Sequence, residues 1–270
     1  MLRTLSSEVR SGVKAGLLVL IVLPGYTAAQ SFTHVHLRTP DPAAAAEWYH
    51  TLVGGELRPS AGGMGSVAQT HGSISTMLDD AGAEPSHGSV IDHFGFAVAD
   101  VPAMVVKARI MGAHVVAEPH PGVTAATIAM IEDPWGTKVE LLESPDYTGI
   151  QHVHLVVERA DALRDWFIEM FGGEYDPELG DGRFHAIRYD GIWVYISESG
   201  AGSNAPSRGR SLDHMGFSVA DMDAFVAKVE ASGYRPWVIR PNRPGGTTLL
   251  MFFEGARGVH FEIAQPAGAQ

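Results

Sequence analysis

Cysteine is absent from the 270-residue chain. Its absence excludes disulfides, a thiolate nucleophile and a zinc–thiolate site, and leaves the compartment open. Positive charge is scarce: 19 Lys and Arg stand against 31 Asp and Glu, a formal net charge of −12. A nucleic-acid partner is excluded on that ground, because nothing would neutralise phosphates. Long apolar runs are also missing. The stretch Ala15–Leu23 is too short to cross a bilayer, which needs about 20 residues, and no later segment approaches that length. With 45% hydrophobic residues and a mean hydropathy of +0.03, the composition is that of a globular protein. The length admits one large domain or two of common size.

The N-terminus reads as a leader. Arg3, Arg10 and Lys14 precede the apolar run, Pro24-Gly25 breaks it, and the small residues Thr27-Ala28-Ala29 follow. This is the charged, apolar and cleavage-site order of a secretory signal. Cleavage near Ala29 is expected, giving a soluble exported protein, periplasmic in a bacterium.

Histidine is plentiful, 13 residues, and its positions disclose internal repeats. His-Val-His-Leu occurs at 34–37 and again at 152–155. Ile91-Asp-His-Phe-Gly-Phe-Ala-Val-Ala-Asp100 is matched by Leu212-Asp-His-Met-Gly-Phe-Ser-Val-Ala-Asp221. Two homologous halves follow, residues 31–146 and 149–266, and each half repeats itself. All four units open on an apolar strand bearing a histidine: His34, His93, His152 and His214. Seven residues on comes a helix start, at Asp41 (with Pro42 at the first helical position), Asp100, Arg159 and Asp221. In the third unit Asp161 is expected to cap in place of Arg159. The helices end at Gly54, Gly112, Gly172 and Gly233, where glycine accepts a left-handed cap. Trp166, Phe167, Met170 and Phe171 make an apolar helix face and read as packing residues. A last strand follows Gly72, Gly136, Gly191 and Gly258; four residues beyond lie Thr76, Glu140, Tyr195 and Glu262. Each unit therefore reads βαβββ, and the fold class is α+β.

The strings His34-Val-His-Leu-Arg-Thr-Pro-Asp41, Asp92-His-Phe-Gly-Phe-Ala-Val98 and Glu132-Asp-Pro-Trp-Gly-Thr-Lys-Val-Glu-Leu-Leu142, with their second-half partners, resemble the vicinal oxygen chelate superfamily. That superfamily includes glyoxalase I, extradiol dioxygenases, fosfomycin-resistance enzymes and bleomycin-binding proteins. The resemblance covers the chain beyond its leader and implies two tandem domains with cupped mixed sheets, whose paired units surround a divalent metal. Ligands come from the first and last strands of each unit. Carried onto this chain, the metal ligands are His34, His93, Glu140, His152, His214 and Glu262. Thr76 and Tyr195 depart from the carboxylate of glyoxalase I, which leaves two histidines and one glutamate per site.

That donor set suits non-haem Fe(II), the favoured metal, and also Zn(II) or Mn(II). Alternate strand residues share a face, so His36, Arg38, Lys138, His154 and His260 are expected to line the cups, with Arg38 and Lys138 together holding an anionic substrate in the first. Tyr195 reads either as a proton donor or substrate contact or as a packed aromatic. Two pairings are consistent with the sequence. Pairing within halves, the expectation adopted, gives His34/His93/Glu140 and His152/His214/Glu262. Pairing across halves gives His34/His214/Glu262 and His93/His152/Glu140. The resemblance implies a metal-dependent enzyme of extradiol-dioxygenase type acting on a small oxygen-rich substrate. Its alternatives are a glyoxalase-like isomerase or lyase and a non-catalytic small-molecule binder. The protein is expected to be a monomer or homodimer without a membrane span.

Overall fold

The computed structural model describes residues 30–59, 64–79, 81–200, 204–241 and 246–268; the expected leader, residues 1–29, lies outside the described residues. The four expected units are present. The first is β1 Ser31–Thr39, α1 Pro42–Val53, β2 Glu56–Pro59, β3 Met64–Ala68 and β4 Ser73–Leu78. The second is β5 Ile91–Val98, α2 Val101–Ile110, β6 His114–His120, β7 Ile128–Glu132 and β8 Lys138–Glu143. The third is β9 Gly149–Val157, α3 Ala160–Phe171, β10 Glu174–Asp176, β11 His185–Tyr189 and β12 Ile192–Glu198. The fourth is β13 Leu212–Ser218, α4 Met222–Ala231, β14 Trp237–Pro241, β15 Leu249–Glu254 and β16 His260–Gln265.

Local chemistry sets the boundaries. Asp41, Asp100 and Asp221 each accept a hydrogen bond from the backbone N–H three residues on, and so cap α1, α2 and α4. The third helix differs from expectation. Arg159 stands at the N-cap without a side-chain cap bond, and the Asp161 carboxylate turns to His185 Nε2 at 3.0 Å instead. The glycine before each last strand, Gly72, Gly136, Gly191 and Gly258, has φ between 71° and 89°, a left-handed turn that side chains resist.

The sheets correct the adopted pairing. One eight-stranded sheet runs β14-β15-β16-β13-β1-β4-β3-β2 and joins the first unit to the fourth. The other runs β10-β11-β12-β9-β5-β8-β7-β6 and joins the second to the third. The seams are antiparallel, β1 on β13 and β5 on β9. Each sheet thus takes one unit from each half of the chain. Units within a half meet instead through their helices and the core between the sheets. Phe171 of α3 stacks on Phe217 of β13 with centroids 4.6 Å apart, and Tyr49 of α1 packs on Phe94 of β5. The buried apolar residues form a cluster that runs from one sheet to the other. Phe167, Met170 and Phe171 are buried in it as expected. Polar ties reinforce this contact. Tyr49 Oη donates to Asp133 Oδ2 at 2.6 Å. Lys107 and Lys228 donate to carbonyls near the C-termini of α1 and α3, at Leu52 and Met170.

Candidate metal centres

Pairing across halves brings together two clusters, one per sheet. In the first, single ligand atoms of His34, His36, His214 and Glu262 all lie within 4.8 Å of one another. Glu262 Oε2 is 3.7 Å from His34 Nε2, 3.4 Å from His214 Nε2 and 3.9 Å from His36 Nδ1. In the second, His93, His152 and His154 meet the same 4.8 Å criterion, and Glu140 Oε2 lies 3.8 Å from His93 Nε2. The sets His34/His93/Glu140 and His152/His214/Glu262 are therefore not assembled, because their members belong to different sheets.

Two glycines make these clusters possible. The register pairs His34 with Gly216 and His152 with Gly95 across the two seams. A Cβ at Gly216 would stand 2.3 Å from His34 Cε1, and one at Gly95 would stand 2.0 Å from His152 Cε1. Each imidazole lies where any other residue would place a side chain. The His-x-Gly order of β5 and β13 thus complements the His-x-His order of β1 and β9.

Each first-strand histidine is oriented by the residue before it. Asp92 and Asp213 take the Nδ1 of His93 and His214 at 2.7 and 2.6 Å. Gln151 Oε1 takes that of His152 at 2.6 Å, and Thr33 Oγ1 lies 3.0 Å from that of His34. An Nδ1–H given away leaves the Nε2 lone pair for a metal. Buried Nε2 atoms of His34, His93 and His152 have no hydrogen-bond partner, an arrangement costly in a folded protein unless something binds there. Sequence reasoning passed over these orienting groups, although the repeated Asp-His pair was their visible signal.

Burial favours the neutral imidazole, the form that ligates, at four of these histidines; at His214 burial is outweighed by the hydrogen bonds and charges of Asp213 and Glu262, which raise it above the ordinary value. Burial lowers His34 to about 4 and depresses His36, His152 and His154 well below the ordinary value. For Glu262, burial alone would raise the carboxyl; the His214 hydrogen bond and the neighbouring histidines outweigh it and hold it at about 2. Burial raises Glu140, against the pull of His93, His120 and Lys138. Burial also raises Tyr195 to about 12.

Arg38 and Lys138 do not share a cup, and neither is free for a substrate. Arg38 Nε donates to Asp79 at 2.9 Å, and its Nη1 reaches Asp213 at 3.5 Å. Lys138 Nζ lies 2.5 Å from Asp92 Oδ1. Both cations neutralise the aspartates that orient histidines. His260 also donates to Asp213, at 2.7 Å, and stacks on Trp237. It stands outside the His34/His36/His214/Glu262 set and groups with Asp213 and His214, whose ligand atoms also lie within 4.8 Å of its own.

Thr76 needs a second correction. Its hydroxyl donates to the Pro42 carbonyl at the start of α1, so it faces the helix. In β4 the residue paired with His36 is Ser75, and in β12 the residue paired with His154 is Tyr195. The first unit's last strand is thus offset by one residue from its glycine, and one residue reverses the face. The Tyr195 ring packs against His152, tilted by 31° with centroids 4.5 Å apart, and its hydroxyl accepts a hydrogen bond from Gln151 Nε2 at 3.2 Å. It is packed and at the site, so both of its expected roles are compatible with its position. Gln151 also lines a cavity of about 310 Å³ with His71, Tyr147, Arg188 and Trp193, among others; neither Tyr195 nor the clustered histidines and glutamates line it.

Comparison with known proteins agrees with this architecture. The family model described as the Glyoxalase/Bleomycin resistance protein/Dioxygenase superfamily matches residues 31–141 and again 149–263. Glyoxalase I from Zea mays superposes with a TM-score of 0.69 at 16% identity, over 88% of this chain and 92% of that one. A protein of Bacillus subtilis strain 168, provisionally named a dioxygenase, superposes with a TM-score of 0.66 at 14% identity, over 89% of this chain and 86% of that one. Identities this low carry the fold alone. No curated protein matches the sequence significantly.

Proposed function

Because the chain belongs to the Glyoxalase/Bleomycin resistance protein/Dioxygenase superfamily, we propose that it is a metal-dependent enzyme with two centres, each built from both halves. His34, His214 and Glu262 hold one divalent ion; His93, His152 and Glu140 hold the other. The observation that carries this reading is the set of buried, unpartnered Nε2 atoms of His34, His93 and His152 beside Glu262 and Glu140. Two imidazoles and one carboxylate with open positions suit iron(II), the metal favoured here. Such an ion supplies Lewis acidity toward two neighbouring substrate oxygens and, as iron(II), access to O2.

The chain's own groups complete the second centre. Gln151 fixes His152 through Nδ1 and donates to the Tyr195 oxygen, and Thr124 also hydrogen-bonds that phenol; Tyr195 is the group placed to give a proton to a substrate oxygen. Burial keeps that phenol protonated, with its pKa raised to about 12, so it serves as donor and not as base. The substrate class is a small molecule with vicinal oxygens, and extradiol-type ring cleavage is the reaction. Because Arg38 and Lys138 are engaged by aspartates, a negative charge on the substrate is no requirement.

The experiment is anaerobic reconstitution with iron(II), followed by oxygen-electrode assays on a panel of catechols and, separately, a hemithioacetal isomerisation assay. Oxygen uptake with a catechol supports the proposal; turnover of the hemithioacetal alone would replace ring cleavage by the isomerase reading. Failure to retain any divalent metal would leave a small-molecule binder. The leader adds the proposal of export, tested by the intact mass of protein recovered outside the cytoplasm: a species beginning near Gln30 is expected, and one retaining Met1 would refute it.

A further inference from the structure

We propose that His36 and His154 are metal ligands, replacing the carboxylate absent from the last strands of the first and third units. The inference rests on the metal reading above and deepens it. Three observations carry it. First, His36 belongs to the same 4.8 Å group as His34, His214 and Glu262, and His154 to that of His93 and His152. Second, four of the six edges lie near those of a single ion. Bonds of about 2.0–2.2 Å set neighbouring ligand atoms about 2.8–3.1 Å apart in an octahedral shell, which keeps two positions open beside four protein ligands, and about 3.3–3.6 Å apart in a tetrahedral one. His36 Nδ1 lies 3.0 Å from His214 Nε2 and 3.9 Å from Glu262 Oε2, and the remaining Glu262 edges are 3.4 and 3.7 Å. Third, the register shows where the ligand went. His36 is the cross-strand partner of Ser75, and His154 that of Tyr195. Paired residues of parallel neighbours project on one face, so a donor lost from β4 or β12 is supplied one strand over, at the same level.

The second cup adds support at the nitrogen not needed for binding. His154 Nε2 meets Ser197 Oγ at 2.6 Å. That bond fixes the ring and leaves Nδ1 as the available nitrogen. The competing account is that His36 merely hydrogen-bonds His214. In that case the Nε2 lone pair of His214 is occupied and His36 contributes nothing to metal affinity.

Cobalt(II) titration of the full chain, read by visible absorption and chelator competition, separates the two. The parent is expected to bind at two centres. His36→Ala should weaken one centre by at least about tenfold and change its absorption, and His154→Ala should do the same at the other. The deciding variant returns the donor to its strand. His36→Ala combined with Ser75→Glu should recover the lost affinity and spectrum, with circular dichroism confirming the fold. Unchanged cobalt affinity and absorption in both alanine variants would overturn the proposal. So would a folded Ser75→Glu variant that fails to rescue His36→Ala. A parent that binds no cobalt would instead sink the metal reading itself, before any variant is compared.

Discussion

Gly95 and Gly216 occupy positions where the smallest side chain would displace a ligand. A methyl at Gly95 would be 2.0 Å from His152 Cε1, well inside contact distance, and the central strand gives no room to retreat. Gly95→Ala should therefore abolish metal retention at the second centre while the first persists, which metal analysis of the folded variant would show; two retained metals would contradict it. Asp213 tests orientation instead of space. It holds His214 and His260 and is faced by Arg38. Asp213→Asn should weaken the first centre by about 10–100-fold and leave the second unchanged, as a two-site metal titration would resolve. Equal affinities in parent and variant would mean that the Asp–His pair is only structural. The ligand candidates were legible in the sequence because they recur at fixed places in four units. Ser75 was not, because the Gly72 turn is followed by a strand one residue out of step, and a glycine-based count cannot see that.

At the scale of elements, the caps read from the sequence held where an aspartate stood at the right place. Asp41→Ala should cost about 1 kcal/mol, measured by chemical denaturation; no loss would mean α1 draws its start from Pro42 and packing alone. Arg159 shows the limit of such reading. The third helix begins without a side-chain cap, and Asp161 serves His185, a tertiary partner that local spacing cannot reveal. The Tyr49–Asp133 contact joins a helix of one sheet to a loop of the other. Burial raises Asp133 from its ordinary 3.8 to about 6, despite the Tyr49 hydrogen bond and backbone donors that pull it down. A carboxyl with a raised folded pKa favours folding most below its unfolded value, and that contribution is lost as pH rises through about 6. Asn keeps an acceptor for the Trp135 and Thr137 amides and carries no charge. The difference in Tm between Asp133→Asn and the parent should therefore shift in the variant's favour between pH 4 and pH 7. A difference independent of pH would contradict this.

At the scale of the molecule, the fourfold repeat was plain and the pairing of its units was not. His-x-His strands alternate with His-x-Gly strands along the chain, and every His-x-His strand needs a glycine opposite. Pairing first with second, or first with fourth, satisfies that need equally, and both give two histidines and one glutamate. The choice is made by the core: α1 and α3 bury aromatic faces between the two sheets, so units adjacent in sequence pack through helices and their strands pair with the other half. Both centres consequently depend on both halves. The measurement that tests this most directly is the metal content of two double variants in the folded protein. With His93→Ala and His152→Ala together, both losses fall in one centre, and about one metal per chain should remain. With His34→Ala and His93→Ala together, each centre loses a ligand, and both should fail to hold metal. The reverse outcome, no metal in the first variant and one in the second, would contradict assembly across the halves.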